Sequence, residues 1–227
     1  MIKCSTATSA SPPNVKLKQD LQVQRLKSLA LFTVPNILSA AECDAFIKYA
    51  EELGFSHQGS LGPAKGEAFR DNDRISVQDR DLAQNLWLSG LSNVFENVKV
   101  DGKSASGLNP NIRFYRYREG QKFGPHIDEN VYLHRGQRTE YTLLVYLNGN
   151  PGMKSKKSSS KGRKDTSQHL QGGETIFYPG HRHESIEVAP VAGMALFHVH
   201  GENCMLHEAR VVSKGIKYVL RSDVIFG

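Results

Sequence analysis

The chain has 227 residues, of which 39% are hydrophobic and 23% are charged, a composition that suits a globular protein and excludes a disordered one. No run reaches the roughly 18 consecutive apolar residues that a membrane-spanning helix needs. The formal net charge is +6, but the excess of basic residues lies in residues 1–30 and 150–168, and the remaining body is slightly acidic. Because the basic residues are peripheral, we do not expect a nucleic-acid-binding face on the folded body. The lack of a long apolar run likewise predicts no membrane partner.

The cysteines and the N-terminus bear on localisation. Cys4, Cys43 and Cys204 are widely spaced and form neither a disulfide framework nor a CxxC zinc site, which indicates a reducing compartment. The N-terminus has no apolar core of a secretory signal. We expect residues 1–28 to form a flexible tail in a cytoplasmic or nuclear protein, although the basic, Ser/Thr-rich start leaves organelle import open.

The first predicted elements after the tail are a short strand and a helix. Residues 29–36 have the composition of a strand that Pro35 stops. Ser39 lies three residues before Glu42, which is the spacing of a capping box. Apolar residues then recur at helical spacing until Gly54, where the helix is predicted to end.

A second helix over residues 79–90 completes the predicted helical support, at about residues 36–100. From about residue 110 the pattern changes to short strands separated by Gly, Pro and Asn, at residues 112–118, 140–148, 174–178, 185–188, 195–199, 208–211 and 218–224. Many short strands after one or two helices predict a mainly β fold, a barrel or jelly roll braced by N-terminal helices (α+β).

One domain over residues 29–227 accounts for these elements, with its β core at about residues 110–227. The Lys-, Ser- and Gly-rich residues 149–171 lie between two predicted strands, and we interpret them as a long mobile loop. Most lysine-rich stretches of this kind are solvated, and contact with an acidic partner or nucleic acid is the alternative. The polar residues 70–74 have two interpretations as well, a solvated surface or an edge that grips a substrate.

A His-x-Asp pair is the sharpest local feature of the sequence. His126 and Asp128 are two residues apart, and in a strand such residues project from the same face. Two ligands placed in this way, completed by a distant histidine, form the facial triad of non-haem Fe(II) oxygenases. The pair is common by chance, so a third ligand has to be found.

The candidates for that ligand are the histidines that follow residue 170, namely His181, His183, His198, His200 and His207. His207 is followed by a strand, a turn at Lys214-Gly215 and a second strand. Because the turn returns the chain, Lys217 can point into the same barrel as His207. A lysine buried beside a metal needs an anionic partner, which a dicarboxylate cosubstrate would supply.

Four stretches of the sequence carry a resemblance to a known family, at residues 117–128 (YREGQKFGPHID), 138–148 (RTEYTLLVYLN), 172–175 (GGET) and 207–218 (HEARVVSKGIKY). In their order and spacing they resemble the prolyl-4-hydroxylase-type 2-oxoglutarate/Fe(II)-dependent dioxygenases. The resemblance covers roughly residues 110–224. It implies a double-stranded β-helix (jelly roll), and the helix after Pro35 resembles the family's N-terminal support.

The resemblance also implies roles for individual residues. It makes His126, Asp128 and His207 the catalytic iron ligands, with Fe(II) as the metal and 2-oxoglutarate and O2 as cosubstrates. The implied reaction hydroxylates an unactivated C–H bond and releases succinate and CO2. Family members commonly need L-ascorbate to rescue oxidised iron, so we expect that dependence here.

Four further residues are implied in 2-oxoglutarate binding. Lys217, ten residues beyond His207, matches the basic residue that pairs with the far carboxylate of 2-oxoglutarate. The hydroxyl of Tyr117 would help to hold that carboxylate, and Thr142 would line the same pocket. Arg221 lies four residues after Lys217, near the position where other branches place a carboxylate-binding arginine, and either residue could be the main anchor.

The substrate stays open at this stage. We expect a prolyl residue in a peptide or protein, and the alternatives are a free amino acid, a small metabolite, or a non-catalytic metal- or ligand-binding module of the same fold. The partners would accordingly be a peptide or small-molecule substrate. Nothing in the sequence favours a large oligomer, and the expectation is a monomer or a weak dimer.

Overall fold

A computed structural model describes residues 10–60, 67–149, 170–180 and 184–227, and the following statements concern these ranges. The helical segments are α1 (Ala40–Leu53), α2 (Arg80–Leu86), a π-helical turn (Trp87–Leu91) and α3 (Ser92–Phe95). Single 3-10 turns lie at His134–Gly136 and Gly201–Asn203. None of the described helices is long and apolar enough to cross a membrane.

The described strands account for most of the regular structure. In chain order they are β1 (Gln24–Lys27), β2 (Leu31–Val34), β3 (Ser56–Gly59), β4 (Arg70–Gln78), β5 (Lys99–Val100), β6 (Lys103–Leu108), β7 (Asn111–Tyr117), β8 (Lys122–His126), β9 (Arg138–Tyr146), β10 (Gln171–Gly172), β11 (Thr175–Tyr178), β12 (Ile186–Val188), β13 (Ala195–Val199), β14 (Leu206–Ala209), β15 (Val212–Lys214) and β16 (Lys217–Phe226).

Most of these strands belong to one nearly closed antiparallel sheet. Its main path runs β1-β2-β13-β9-β16-β7-β4-β8-β14-β11-β12, with β3, β5 and β6 attached at its sides and β10 paired with β15. Neighbours on the path are mostly distant in the chain, as in a double-stranded β-helix. The predicted mainly β jelly roll with N-terminal helices is therefore confirmed.

Helix α1 forms where the sequence predicts it. Ser39 accepts a hydrogen bond from the backbone N–H of Glu42, and the Glu42 carboxylate accepts one from the backbone N–H of Ser39, so the capping box is complete. Gly54 ends the helix with a φ of 84°, a left-handed conformation that favours glycine. The buried face includes Phe46, which anchors the helix to the sheet.

The second predicted helix is shorter and less regular than expected. Asp79 caps α2, but regular α-helix ends at Leu86 and a π-helical turn follows. Gly90 in that turn has a φ of 132°, and a Cβ there would lie 2.7 Å from the backbone carbonyl of Lys18. Glycine is required because the N-terminal segment passes directly over the turn.

The structure differs from the expected tail at residues 10–28, the part of 1–28 that it describes. The backbone N–H of Lys16 donates to the Glu42 carboxylate at 2.7 Å, and that of Lys18 donates to the Ser89 carbonyl at 2.7 Å. Val15 is buried, and β1 pairs with β2. Specific hydrogen bonds to the helices thus hold a segment that composition alone marks as polar and flexible.

The predicted loop over residues 149–171 lies mostly outside the described residues. The structure describes its two ends, where Gly149 follows β9 and Gln171–Gly172 forms β10 against β15. The prediction of a mobile loop between these points stays a prediction.

Candidate active site

The β8–β14 ladder brings His126 and His207 together. The two residues are direct partners in that pairing, and their ring centroids lie 4.3 Å apart. Asp128 follows two residues after the end of β8, with Oδ1 3.9 Å from His126 Nε2 and Oδ2 3.7 Å from His207 Nε2. One donor atom from each side chain lies within 4.8 Å of the other two. The cluster is thus a compact N,O,N donor set of two imidazoles and one carboxylate.

The hydrogen bonds of both histidines leave their Nε2 atoms available to a metal. Nδ1 of His126 lies 2.8 Å from the Gly124 carbonyl, and Nδ1 of His207 lies 2.9 Å from the Met205 carbonyl. An N–H at Nδ1 satisfies these carbonyls and leaves a lone pair on Nε2. Burial, reinforced by the neighbouring His207, lowers the pKa of His126 to about 4, and burial also lowers the pKa of His207. Both rings are therefore neutral near pH 7.

Two side chains hold the Asp128 carboxylate between them. Arg221 Nη2 lies 2.9 Å from Oδ1, and the Thr142 hydroxyl donates to Oδ2 at 2.8 Å. Burial by itself raises the pKa of Asp128, but Arg221 and the surrounding histidines, His198 first among them, outweigh it and hold the pKa well below its usual range. The carboxylate is therefore ionised, as a metal ligand must be.

Thr142 takes a different place from the one expected. It lies behind Asp128 and is not part of the described lining of the cavity. Its hydroxyl also lies 3.0 Å from Nδ1 of His200, so it connects a buried histidine to the carboxylate. Thr142 is positioned to orient Asp128 rather than to touch a cosubstrate directly.

A narrow, partly open cavity of about 40 Å³ lies beside the donor set. Besides His126, Asp128 and His207, its lining includes Tyr115, Tyr117, Phe123, Thr175, Lys217 and Arg221. Aromatic and aliphatic side chains form much of its wall, and a few polar groups converge inside it. This combination is typical of a small-molecule site.

Lys217 is the polar group with the greatest need of a partner. Its side chain is only 2% exposed, and its ammonium donates to the Gly173 carbonyl at 2.5 Å. Nζ lies 5.3 Å from the ring centroid of Tyr117 and 5.4 Å from that of Tyr146. Burial lowers the pKa of Lys217 to about 7, and Glu174 opposes this shift only in part. An anion entering the cavity would supply the charge that the ammonium needs.

Arg221 is buried as well, but its charge is already balanced. Besides the contact with Asp128, its Nη2 lies 3.5 Å from Oδ1 of Asp223. Burial lowers the pKa of Arg221, and the two carboxylates together with Tyr115 reverse that effect and raise it. Lys217 and Arg221 line the same cavity, but only Arg221 has carboxylate partners among the described residues.

Sequence reasoning missed three residues around Lys217. Tyr146 and Thr175 share a hydrogen bond of 2.7 Å between their hydroxyls, and Thr175 lines the cavity. Gly173 has a φ of 74°, and a Cβ there would lie 3.0 Å from Cδ of Lys217. The signal was present in the Gly-Gly-Glu-Thr stretch, whose second glycine packs on the lysine and whose threonine faces the cavity.

A rival set of donors shares one member with the first. His198, Cys204 and His207 also lie close enough for three ligand atoms to meet. Burial raises the pKa of Cys204 to about 11, so its sulfur is a thiol that accepts a hydrogen bond from the Asp128 backbone N–H. Two histidines and a carboxylate are the ligand set of non-haem Fe(II) oxygenases, which favours the set that contains Asp128.

The sequence matches a known family over the region that carries these residues. The model of the 2OG-Fe(II) oxygenase superfamily matches residues 112–222. That range contains the β core from β7 to the middle of β16 and includes every residue of the donor set. A comparison with curated proteins found no match.

Solved structures with this fold include several prolyl hydroxylases. The viral collagen prolyl hydroxylase from Paramecium Bursaria Chlorella virus-1 is 19% identical, with a TM-score of 0.56, covering 88% of this chain and 97% of that one. A prolyl hydroxylase from Trichoplax adhaerens, in complex with a hypoxia inducible factor peptide fragment, is 15% identical, with a TM-score of 0.58 and coverages of 88% and 84%.

A prolyl-4-hydroxylase from Pseudomonas putida is similar to the same extent, at 16% identity and a TM-score of 0.53, covering 88% of this chain and 94% of that one. At these identities the solved structures show a likeness in fold alone, and the family model matches the β core. Residues 112–222 of the chain therefore match the 2OG-Fe(II) oxygenase superfamily, and the fold of the chain is like that of solved prolyl hydroxylases.

Proposed function

We propose that this protein is a 2-oxoglutarate- and Fe(II)-dependent dioxygenase that hydroxylates a prolyl residue in a peptide or protein, and that His126, Asp128 and His207 hold its Fe(II). Lys217 would pair with the far carboxylate of 2-oxoglutarate. The observation that carries the proposal is a buried ammonium whose protein partner is a neutral carbonyl, in the same cavity as a 2-His-1-carboxylate donor set. A dianionic cosubstrate that binds the metal at one end would place its other carboxylate beside the ammonium and balance that charge.

The donor set fits Fe(II) in its chemistry. Two neutral imidazoles with free Nε2 atoms and one ionised carboxylate are the ligand types that non-haem iron takes in oxygenases. When bound, iron, 2-oxoglutarate and O2 supply the oxidising power for C–H hydroxylation, with succinate and CO2 as co-products. L-Ascorbate is expected to keep the iron reduced.

The residues of the chain bind, orient and exclude water. Thr142 and Arg221 hold the Asp128 carboxylate in one orientation, and backbone carbonyls fix the two imidazoles. The side chains of Tyr115, Tyr117 and Phe123 wall the cavity and limit the access of water. The Tyr117 hydroxyl is proposed to assist Lys217 at the far carboxylate.

Lys217 is the better candidate for the main 2-oxoglutarate anchor. Arg221 already has Asp128 and Asp223 within 3.5 Å, so a third carboxylate would compete with both. Lys217 has no carboxylate oxygen within 4 Å among the residues that the structure describes. Arg221 is proposed as a positioning residue for Asp128.

The proposed substrate is a prolyl residue within a peptide or protein. It is supported by structural neighbours named as prolyl hydroxylases, one of them in complex with a peptide fragment. A free amino acid or a small metabolite is the alternative substrate, and a non-catalytic module of the same fold is the alternative function. A monomer or weak dimer in the cytoplasm or nucleus is proposed with it.

Anaerobic titration with Fe(II) and then 2-oxoglutarate tests the site. Chelated 2-oxoglutarate is expected to give a visible charge-transfer band in the wild type, no band in His126→Ala, and a band in Lys217→Ala that appears only at roughly 100-fold higher 2-oxoglutarate, a typical cost for losing a buried charge pair. Cys204→Ser is the matched control, because it removes the sulfur of the rival donor set and keeps Asp128.

The outcomes separate the alternatives. Loss of the band in Cys204→Ser with retention in His126→Ala would assign the metal to the rival set. No band at saturating ligand in the wild type would exclude the dioxygenase site as drawn. With the band established, succinate release stimulated by proline peptides, compared with free proline, tests the substrate.

A further inference from the structure

Four arginines lie around Tyr115, which lines the cavity, and we call Arg70, Arg74, Arg113 and Arg221 the arginine cluster. Arg221 itself lines the cavity. Arg74 lies directly opposite Tyr115 in the β4–β7 pairing, and Arg70 lies opposite Phe123 in the β4–β8 pairing. Directly opposed residues of neighbouring strands share a face of the sheet. Since Tyr115 and Phe123 line the cavity, Arg70 and Arg74 lie on the cavity side of β4.

The charge of this cluster is only partly balanced. Arg221 contacts Asp128 and Asp223, and Arg113 pairs with Asp223. No carboxylate oxygen of the described residues lies within 4 Å of the guanidinium of Arg70 or Arg74, and the recorded side-chain partner of Arg74 is the Ser76 hydroxyl at 3.2 Å. On the cavity side of β4, two cations therefore lack a carboxylate partner among the described residues.

The acidic residues of β4 lie on its other face. Asp71 and Asp73 alternate with Arg70 and Arg74, so they project away from the cavity. Asp73 contacts Arg116 at 2.7 Å, and Asp71 accepts a hydrogen bond from Gln121 at 2.9 Å. The strand thus sorts its charges, with cations toward the cavity and acids away from it.

The positive charges of the arginine cluster act on Tyr115. Burial by itself raises the pKa of Tyr115, but Arg221, Arg113, Arg74 and Arg70 outweigh it and lower the pKa. Burial and the neighbouring guanidiniums also lower the pKa of Arg74, with Tyr115 acting in the opposite direction. The cluster therefore concentrates positive charge that a bound anion would relieve.

The cluster lies next to the donor set. The guanidinium carbon of Arg70 lies 4.0 Å above the ring of Phe123, and that ring stacks on His126 with centroids 3.7 Å apart. Only one aromatic ring therefore separates Arg70 from a proposed iron ligand. Arg70 and Arg74 are four residues apart on one strand, a span of about 13 Å at the usual rise per residue, which exceeds the reach of a single carboxylate.

From this arrangement we propose that the substrate is an extended acidic peptide, with one carboxylate side chain on each side of the oxidised residue, bound by Arg70 and Arg74. The inference rests on the proposed function and adds the substrate class. An extended chain along β4 would place two acidic side chains, four residues apart, opposite the two arginines. The target residue would lie between them, over the cavity.

Anisotropy of fluorescein-labelled pentapeptides tests the proposal on the full chain under anaerobic conditions, with Fe(II) and 2-oxoglutarate present. The probes are Glu-Ala-Pro-Ala-Glu and its amide counterpart Gln-Ala-Pro-Ala-Gln, both with blocked ends. We expect the acidic peptide to bind at least about tenfold more tightly, with the difference shrinking at high salt because exposed charges are screened.

Two variants and one control assign the effect to β4. Arg70→Gln and Arg74→Gln are each expected to reduce the preference for the acidic peptide by about threefold or more. Arg118→Gln is the control, because that side chain is more than half exposed and reaches Asp73 on the opposite face. It should leave the preference unchanged.

The readouts keep the two proposals apart. Anisotropy is measured whether or not the visible band of bound 2-oxoglutarate forms, so absence of the band contradicts the metal site alone. Equal binding of the two peptides, no binding of the acidic peptide, or an unchanged preference in both β4 variants would overturn the acidic-substrate inference. An equal loss in Arg118→Gln would also overturn it, since it would reduce the effect to overall charge.

Discussion

Two regions differ in how their buried polar groups are hydrogen-bonded. The first is the helix-facing core, which is the apolar cluster that contains Phe46 and Phe95, and the second is the barrel interior around the donor set. In the helix-facing core, buried Glu42 accepts hydrogen bonds from Lys16, Lys18 and Ser39. The barrel interior instead contains buried atoms without a hydrogen-bond partner among the described residues, namely Arg113 Nε, His198 Nε2, His200 Nε2, Arg221 Nε and Asp223 Oδ1. Unpaired buried polar atoms cost stability. The comparison indicates that the helix side stabilises the fold, while the barrel interior gives up stability to keep groups available for ligands.

The largest change in the free energy of unfolding is expected from a substitution in the helix-facing core. Phe95 is fully buried, and its ring lies 5.1 Å from that of Phe197, 5.4 Å from that of Tyr141 and 5.9 Å from that of Phe32. Phe95→Ala should therefore lower the free energy of unfolding by about 3–5 kcal/mol, measured by urea denaturation. The 2-oxoglutarate band of the folded fraction should be unchanged. A loss below about 1 kcal/mol, or a lost band in folded protein, would contradict the separation of the two regions.

The second-largest effect is expected from a substitution that removes a buried charge from the barrel interior. Lys217→Met should weaken 2-oxoglutarate binding by roughly 100-fold, or about 2.7 kcal/mol, and should not destabilise the ligand-free protein, because a buried charge is replaced by an apolar chain of similar length. The pKa of Lys217 is about 7 in the folded protein, below its ordinary value of 10.5. Between these values the unfolded chain binds more protons, so wild-type stability should rise as the pH rises from 7 to 10.5.

Unfolding curves measured between pH 7 and 10.5 test whether stability rises with pH as expected. The rise should be weaker in Lys217→Met, and an exposed lysine variant such as Lys99→Met should keep the wild-type profile. Wild-type affinity for 2-oxoglutarate should fall as the pH rises above 7, because the free ammonium then loses its proton. A Lys217→Met protein that binds 2-oxoglutarate as tightly as the wild type would return Arg221 as the main anchor.

The smallest effect tests the satisfied polar cluster of the helix side. Glu42→Gln should lower stability at neutral pH by about 1–2 kcal/mol, since a charge-assisted set of hydrogen bonds becomes neutral. Despite burial, which raises it, hydrogen bonds from Lys16, Ser39 and Lys18 lower the pKa of Glu42 to about 2, against 4.5 ordinarily. This stabilisation is present above pH 4.5 and is lost as the pH falls toward 2, so the two proteins should converge there.

Glu52→Gln is the matched control for that measurement. Glu52 lies on the same helix, but its side chain is about half exposed, and its ion pair within the described residues is a 3.7 Å contact with Lys48. Exposed pairs contribute little, so this variant should be close to the wild type at every pH. Equal losses in the two variants would show that the Glu42 cluster has no special role in the helix-side scaffold.

Local patterns predicted the parts of the fold that depend on neighbours in the chain. The capping box at Ser39 and the strand at Ala195–Val199 both lie where they were predicted, because capping geometry and strand alternation involve residues a few positions apart. The tail was predicted less well. Its attachment depends on Glu42 and Ser89, which are distant from it in sequence.

The same division applies to the candidate site. The residue types and the order of the motifs could be read from the sequence alone, including the His-x-Asp pair, the later histidine and the lysine ten residues beyond it. It could not distinguish Lys217 from Arg221, because spacing places both on one face of the same strand. The three-dimensional fold was needed to show which charge already has carboxylate partners, that Thr142 lies behind Asp128, and that Arg70 and Arg74 lie on the cavity side of β4. Each of these depends on the pairing of distant strands, and burial and charge balance exist only once that pairing has formed.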